Sequence, residues 1–414
     1  FGVDIVNQIN TQNSIDHITG YCLCLSPDIN KIKQGLTQYS HQLSSIESME
    51  HEWVNESINW PLLRKLETVC GPTVIGQLIA SDRRLGASYV KGGRIRPSII
   101  KDLVNSDPQS APLRYISGAL NFLFTNLTEN RPDFVFSYAV AGAFSLALEK
   151  VCHALEIPFY TLANTRIDNF HYIETTTRGH HLRFRQSYIT YCSEGKRNSS
   201  DAMMFAEGYL NKIRTGDKAY PNTGHKNQNI LALFSISAIK IAVLSWRYWP
   251  DWKNQSQYIR RVYWLLLKYW RRARLPNNYF HNLSNIRGEY YYFPLHVEPE
   301  ASTMVRAPLY LDQIYLIEQL SKTTPSHVQI VVKEHDPMLG LRPHGFYDTL
   351  KQLPKVVLLS PDIPAAKLIP DAKLVCTITG TAAWEAALRG VPSIIFGEFP
   401  YAWVQGITEV NISS

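Results

Sequence analysis

Apolar and polar positions along the chain fall into two kinds of run, and their order predicts an α/β protein. In the C-terminal part, short apolar runs read as strands over Tyr290–Pro294 (YYYFP), Val328–Lys333 (VQIVVK), Lys355–Leu359 (KVVLL), Lys373–Thr377 and Ser393–Phe396. Segments with helical spacing lie between them, at Leu309–Lys322, Gly345–Leu353 and Ala382–Arg389, with a helical turn at Pro364–Ile369. Short strands alternating with helices predict a parallel, doubly wound sheet, whose ligands sit outside the carboxyl ends of the strands. The N-terminal part shows the same alternation more loosely. A strand is predicted at Tyr21–Ser26, helices at Ala111–Asn130 and Ala141–Leu155, and strands at Phe134–Tyr138 and Phe159–Leu162.

Between these parts, 202–275 reads as mostly helical and dense in aromatics and cations. Arg260–Leu275 (RRVYWLLLKYWRRARL) alternates Arg and Lys with Trp, Tyr and Leu until Pro276 ends it. Two readings stand: a helix lying on an anionic membrane surface, or an interdomain helix with core aromatics and solvated arginines. The most apolar window, Ile230–Trp246, is interrupted by Lys240 and is shorter than the roughly 20 residues needed to span a bilayer.

Composition narrows this only a little. A length of 414 residues, 45% of them hydrophobic, suits two domains. The excess of 42 Lys+Arg over 35 Asp+Glu, a net charge of +7, is too mild to argue for nucleic acid and fits an anionic ligand or surface. Cys22, Cys24, Cys70, Cys152, Cys192 and Cys376 form neither a disulfide framework nor zinc spacing, so buried thiols in a reducing cytoplasm are expected. The chain opens at Phe1 without a Met and closes at Ser414 without a final helix, as a piece of a longer protein would; no signal peptide is visible in it.

The predicted strand ends carry polar residues that a core does not need. These are His296, Glu298 and Glu300 after the first C-terminal strand, Lys333 and His335 at the second, and Thr377, Thr379, Gly380 and Thr381 after the strand at 373–377. The Thr-Gly-Thr turn opens a helix, where backbone N–H groups and the macrodipole favour a phosphate; alternatively Thr381 is only an N-cap. Glu385 on that helix could accept bonds from ribose hydroxyls or simply complement the dipole. Lys333 and His335 could each meet a phosphate. In the N-terminal part, Arg166, Asp168, His171 and Glu174 follow the strand at 159–162. Asp168 is a candidate general base and Arg166 a holder of an acidic sugar or phosphate, against the alternative of a polar loop with an Asp–Arg pair. Together these residues argue for an anionic, nucleotide-linked ligand.

The runs YYYFPLHVEPEAST (290–303), VVKEHDP (331–337) and TITGTAAWEAALRGVPSIIFGEFPY (377–401) resemble the bacterial capsule polysaccharide biosynthesis family, which contains Kdo transferases. The resemblance implies a GT-B glycosyltransferase. Its two Rossmann-like domains would face a central cleft, with the acceptor mainly on the first, the nucleotide-sugar donor mainly on the second, and no obligatory metal or other cofactor. In related CMP-sugar transferases a His-Pro pair and a Ser/Thr-rich turn hold the CMP; His335 and the turn at 377–381 match by position. Asp336 departs from the pattern by standing between His335 and Pro337.

The combined expectation is an acceptor-side domain over 1–201, a helical basic-aromatic segment over 202–285 and a nucleotide-sugar-binding domain over 286–414. The function expected is transfer of Kdo or another acidic sugar from a CMP-activated donor to a capsule or lipopolysaccharide-type glycan or glycolipid, at the inner face of the cytoplasmic membrane. Lys333, His335, the 377–381 turn and Glu385 would hold the donor. Arg166, His171, His296 and Glu300 would hold substrate, and Asp168, Glu298 or His335 would act in catalysis. A nucleotide-sugar epimerase, a CDP-glycerol glycerophosphotransferase and a non-catalytic glycan-binding scaffold of capsule assembly are the alternatives.

Overall fold

The computed structural model describes residues 2–11, 14–22, 26–137, 141–165, 167, 170–176, 182–195, 199–215, 252–276 and 279–410. The apolar window at 230–246 therefore lies outside the described residues. The chain divides into two compact units. One comprises Phe1–Ile79, Ile100–Tyr138 and Ala143–Phe159; the other comprises Ala80–Ile99, Ala139–Gly142 and Tyr160–Ser414.

In the first unit, strands β1 (His17–Cys22) and β2 (Ser40–Ser45) pair in parallel, with His17 opposite Ser40. Its core is helical: α1 (Ile46–Trp53), α2 (Trp60–Cys70), α3 (Ala111–Glu129) and α4 (Ala143–Ala154). The Trp53 indole stacks on Phe144 at 5.9 Å and meets Tyr115 edge-on at 5.6 Å. The Tyr115 hydroxyl, buried with the ring, donates to Glu50 at 2.6 Å, which satisfies both polar groups inside an apolar core. Asn59 begins α2 by accepting from the Leu62 N–H at 3.1 Å, a cap worth about 1 kcal/mol. The unit also holds β3 (Val135–Ser137).

In the second unit, β4 (Phe159–Asn164) turns back into β5 (His171–Glu174), which pairs with it antiparallel, Asn164 opposite His171. His171 thus lies on a strand, against the alternative reading of this stretch as a polar loop. The helix α5 (Trp252–Ala273) covers most of the Arg260–Leu275 stretch. Six strands follow: β6 (Tyr290–Pro294), β7 (Gln329–Lys333), β8 (Val356–Leu359), β9 (Leu374–Thr377), β10 (Ser393–Ile395) and β11 (Ile407–Glu409). Their spatial order is β11-β10-β9-β6-β7-β8, and every pair is parallel.

Period-two alternation gives this sheet a core on each face. Phe293, Ile330, Val332 and Leu358 pack on one side with α6 (Gln313–Thr323) and α7 (Phe346–Gln352). Tyr292, Val331, Val357 and Val375 pack on the other with Ala386 of α8 (Thr381–Leu388). Both faces are covered, as a parallel sheet requires, and the α/β reading of the sequence holds. From β6 the chain runs outward through β7 to β8 and then returns to place β9 on the other side of β6. The strand order therefore reverses between β6 and β9, and in an open α/β sheet that switch point marks the ligand crevice.

The expectation of buried thiols holds in part. Cys152 and Cys376 are buried, Cys22 and Cys70 are half-buried, and Cys192 is exposed on a surface helix. Among the described residues the cysteines are free thiols.

Candidate functional site

The strand order brings the polar ends of β9, β6 and β7 side by side, in that sequence. Each of the C-terminal polar clusters flagged in the sequence therefore lies along one edge of one sheet.

His296 follows β6 and joins it to the end of β9. Its Nε2 accepts from the Ile378 N–H at 3.2 Å and lies 2.9 Å from the Thr377 Oγ1, which itself accepts from the Gly380 N–H at 3.2 Å. A nitrogen that accepts a backbone N–H carries no proton, so the ring is neutral with its hydrogen on Nδ1. Burial, followed by the nearby positive charges of His335 and Arg342, pushes its pKa down to about 3. A neutral imidazole cannot serve as a cationic phosphate holder. Gly380 is demanded by this contact, because a Cβ there would lie 2.5 Å from Thr377 Oγ1 and 3.2 Å from the His296 ring.

The helix α8 begins at Thr381 with Gly380 as its N-cap and has no side-chain cap. The reading of Thr381 as an N-cap is thereby overturned: it is the first helical residue, and its hydroxyl sits past the capping position. Immediately before the turn, Thr379 is 6% exposed and its Oγ1 has no hydrogen-bond partner. A buried hydroxyl without a partner costs roughly 1–3 kcal/mol. It lies next to a helix start whose own N–H groups lack a side-chain acceptor, where partial positive charge gathers.

At the end of β7, Lys333 is half-buried and His335 is exposed. Between them Glu334, fully buried, organises a network that sequence reading missed. It accepts from Arg342 Nε at 2.7 Å and Nη2 at 2.8 Å, from the Tyr347 hydroxyl at 2.9 Å and from the His335 N–H at 2.6 Å. Arg342 donates onward to the His296 carbonyl at 2.9 Å and the Gly92 carbonyl at 2.8 Å. Burial opposes the charge on Arg342, but Glu334, Tyr347 and Glu298 outweigh it and hold its pKa up. The only sequence signal was a carboxylate inside VVKEHDP with an arginine eight residues on, and nothing in that spacing names them as partners.

Glu298, a candidate base, is 2% exposed and its oxygens are occupied. Oε1 accepts from the N–H groups of Lys91 and Gly92, both at 2.9 Å, and Oε2 accepts from Gln313 Nε2 at 2.9 Å. Burial raises its pKa despite these bonds. The structure makes Glu298 a clasp on the 91–92 backbone. Gln313 completes the link by accepting from the His296 N–H at 2.7 Å.

Asp336, the departure from the family pattern, forms a two-point ion pair with Arg272 near the end of α5, at 2.7 and 3.2 Å. Glu300 is exposed at the start of the helix Ala301–Arg306. Glu385 lies on the second turn of α8, 3.9 Å from Arg389 Nη1. His171 is exposed on β5, its Nε2 3.0 Å from Asn164 Nδ2. Arg166 and Asp168 lie outside the described residues. Among the described residues no three His, Cys, Asp or Glu side chains gather as a metal site.

Residues 179–412 match the family described as capsule polysaccharide biosynthesis protein. No curated protein sequence matches the chain. Among solved structures, two transferases of Thermosulfurimonas dismutans KpsC are similar. The β-Kdo 2,7 transferase is 12% identical over 70% of this chain and 73% of its own, with a TM-score of 0.40. The β-Kdo 2,4 transferase is 12% identical over 67% and 73%, with a TM-score of 0.39. UDP-GlcNAc 2-epimerase from Neisseria meningitidis, bound to UDP-GlcNAc, is 12% identical over 92% and 82%, with a TM-score of 0.25. Likenesses this distant assign neither substrate nor residue roles. The family match spans more than half of the sequence and covers the whole six-stranded sheet with its polar edge, so the chain belongs to the capsule polysaccharide biosynthesis family.

Proposed function

We propose that the chain is a glycosyltransferase that takes an acidic sugar, Kdo or a relative, from a CMP-linked donor and adds it to a capsule or lipopolysaccharide-type glycan or glycolipid in the cytoplasm. The observation that carries this reading is the start of α8. A helix N-terminus without a side-chain cap stands beside a buried, unpartnered Thr379 hydroxyl, where the strand order reverses. Those groups suit the phosphate of a nucleotide donor.

In this reading Thr379 and the first N–H groups of α8 receive the phosphate, and Lys333 and His335 supply charge from the end of β7, on the other side of β6. Together they stabilise the negative charge that grows on the leaving nucleotide, the role a cation would otherwise take. His296 and Thr377 hold the turn in shape. The Glu334–Arg342 pair fixes the backbone that carries His335. Glu385 is offered to the ribose, His171 and Arg166 to the acidic sugar, His296 Nδ1 and Glu300 to the acceptor side, and Asp168 to the acceptor hydroxyl as base.

A panel of CMP, CDP, UDP and GDP in thermal-shift measurements tests the donor assignment. At a hundredfold excess over Kd, CMP should stabilise the chain by about 2.7 kcal/mol. Thr379→Val and His335→Ala should each lose most of that shift. Stabilisation by UDP and not by CMP would refute the CMP assignment, and no response to any nucleotide would refute the donor site.

A further inference from the structure

The helix α5 presents a surface that the donor site does not use. Tyr263, Leu266 and Trp270 stand three and four residues apart, hence on one helix face, and are 62%, 45% and 51% exposed. The Arg274 guanidinium lies over the Trp270 ring at 3.9 Å and extends the same stripe. The opposite face is anchored. The Arg96 guanidinium covers Trp264 at 5.4 Å, and Arg272 grips Asp336. Gly340 lets the backbones touch, since a Cβ there would meet the Lys268 carbonyl oxygen at 2.2 Å. The helix is therefore seated along one side, while three large apolar side chains stand in solvent along the other.

Charge around this stripe is one-sided. Residues 263–276 contain four Lys and Arg and no Asp or Glu. The segment 91–96 adds Lys91, Arg94 and Arg96, held beside the helix through the Glu298 clasp and an Arg94 Nε bond to the Arg342 carbonyl at 3.2 Å. These cations crowd one another. Burial and then Arg271 lower the pKa of Arg94; burial and then Arg272 and Arg96 lower that of Lys268, with Asp336 opposing. Such mutual repulsion is relieved when an anionic surface meets it.

The geometry points to this face as a docking surface for an anionic phospholipid bilayer. Aromatic and leucine side chains enter the interfacial layer while Arg274, on the same stripe, and Arg271 beside it meet phosphate headgroups. Charge complementarity selects this occupant: a neutral apolar partner would leave the cations unmatched, and a soluble polyanion would leave the apolar stripe in water. Among the described residues no helix is long and apolar enough to cross a membrane, so the contact is to the surface. The inference goes beyond the transferase reading and does not depend on it.

Flotation of the full chain with phosphatidylcholine vesicles, and with an equimolar mixture of phosphatidylcholine and phosphatidylglycerol, tests it. Co-flotation only with the anionic vesicles, weakened by salt, is expected. Replacing both Arg271→Gln and Arg274→Gln should lower the partition coefficient roughly thirtyfold, about fivefold per charge. Trp270→Ala should also lower it. Both variants should keep the wild-type unfolding temperature and nucleotide response, because neither alters the Arg272–Asp336 ion pair or the Gly340 contact that seat the helix. Equal recovery in the unbound fraction with both lipids, equal binding to neutral vesicles, or unchanged binding by both variants would each overturn the inference. So would capture of an RNA oligonucleotide by a chain that ignores vesicles.

Discussion

His296 makes the sharpest prediction at the scale of single residues. Its folded pKa, near 3, lies below the ordinary 6.5, so the unfolded chain binds the extra proton. Stability supplied by the neutral ring is present above pH 6.5 and lost as pH falls toward 3. Between pH 7 and pH 5 the loss should be about 2 kcal/mol, measured by urea unfolding at each pH. His296→Gln should start less stable at pH 7 but show that much less decline; an unchanged slope would show that another group carries it. The Glu334–Arg342 pair predicts a different signature. Arg342→Ala leaves a buried carboxylate without its cation and should cost about 3–5 kcal/mol in the same assay, whereas Glu334→Leu with Arg342→Met should recover part of that loss. Thr379, Gly380 and His335 were legible because strand-end Thr, Gly and His are not what a core selects. Glu334, Arg342 and Gln313 were not, because their role is a partnership fixed by three-dimensional proximity, and a charged residue in isolation reads as solvated.

Elements were easier to read than contacts. The C-terminal strands from β6 to β10 were visible because apolar runs bounded by turn residues have few other uses, and the structure places them within a residue or two of expectation; β11 (Ile407–Glu409), only three residues long, was not read. The helix expected at Leu309–Lys322 instead starts at Gln313, after a short turn at Pro308–Tyr310, since Asp312 accepts from the Tyr315 N–H at 3.0 Å and caps it there. Asp312→Ala should therefore cost about 1 kcal/mol of stability. Glu318→Ala on the same helix should cost less than about 0.5 kcal/mol, although Glu318 lies 2.5 Å from Lys322, because that pair is 38% and 60% exposed. The hairpin β4–β5 escaped notice for a physical reason: HYIE is a short strand with its alternate side chains in solvent, which composition does not separate from a polar loop. The basic-aromatic helix was legible in its periodicity, but which face would be buried depended on Gly340 and Asp336, far along the chain.

At the scale of the whole molecule, the second unit is not a contiguous stretch of chain. Ala80–Ile99 belongs to it, and Gly92 supplies a carbonyl to Arg342 and an N–H to Glu298. No pattern in VKGGRIRP names partners two hundred positions on. Residues 160–414 expressed alone should consequently be less stable to urea than the same residues supplemented with a peptide covering 80–99, and the peptide should bind saturably; a fragment indifferent to the peptide would contradict the clasp. The same feature sets a timetable for synthesis. Gly92 leaves the ribosome 250 residues before Arg342, a gap of roughly ten to fifty seconds at ordinary elongation rates. The early segment must wait through that interval, so closure of the C-terminal unit is a late event with the high contact order of a slow folder.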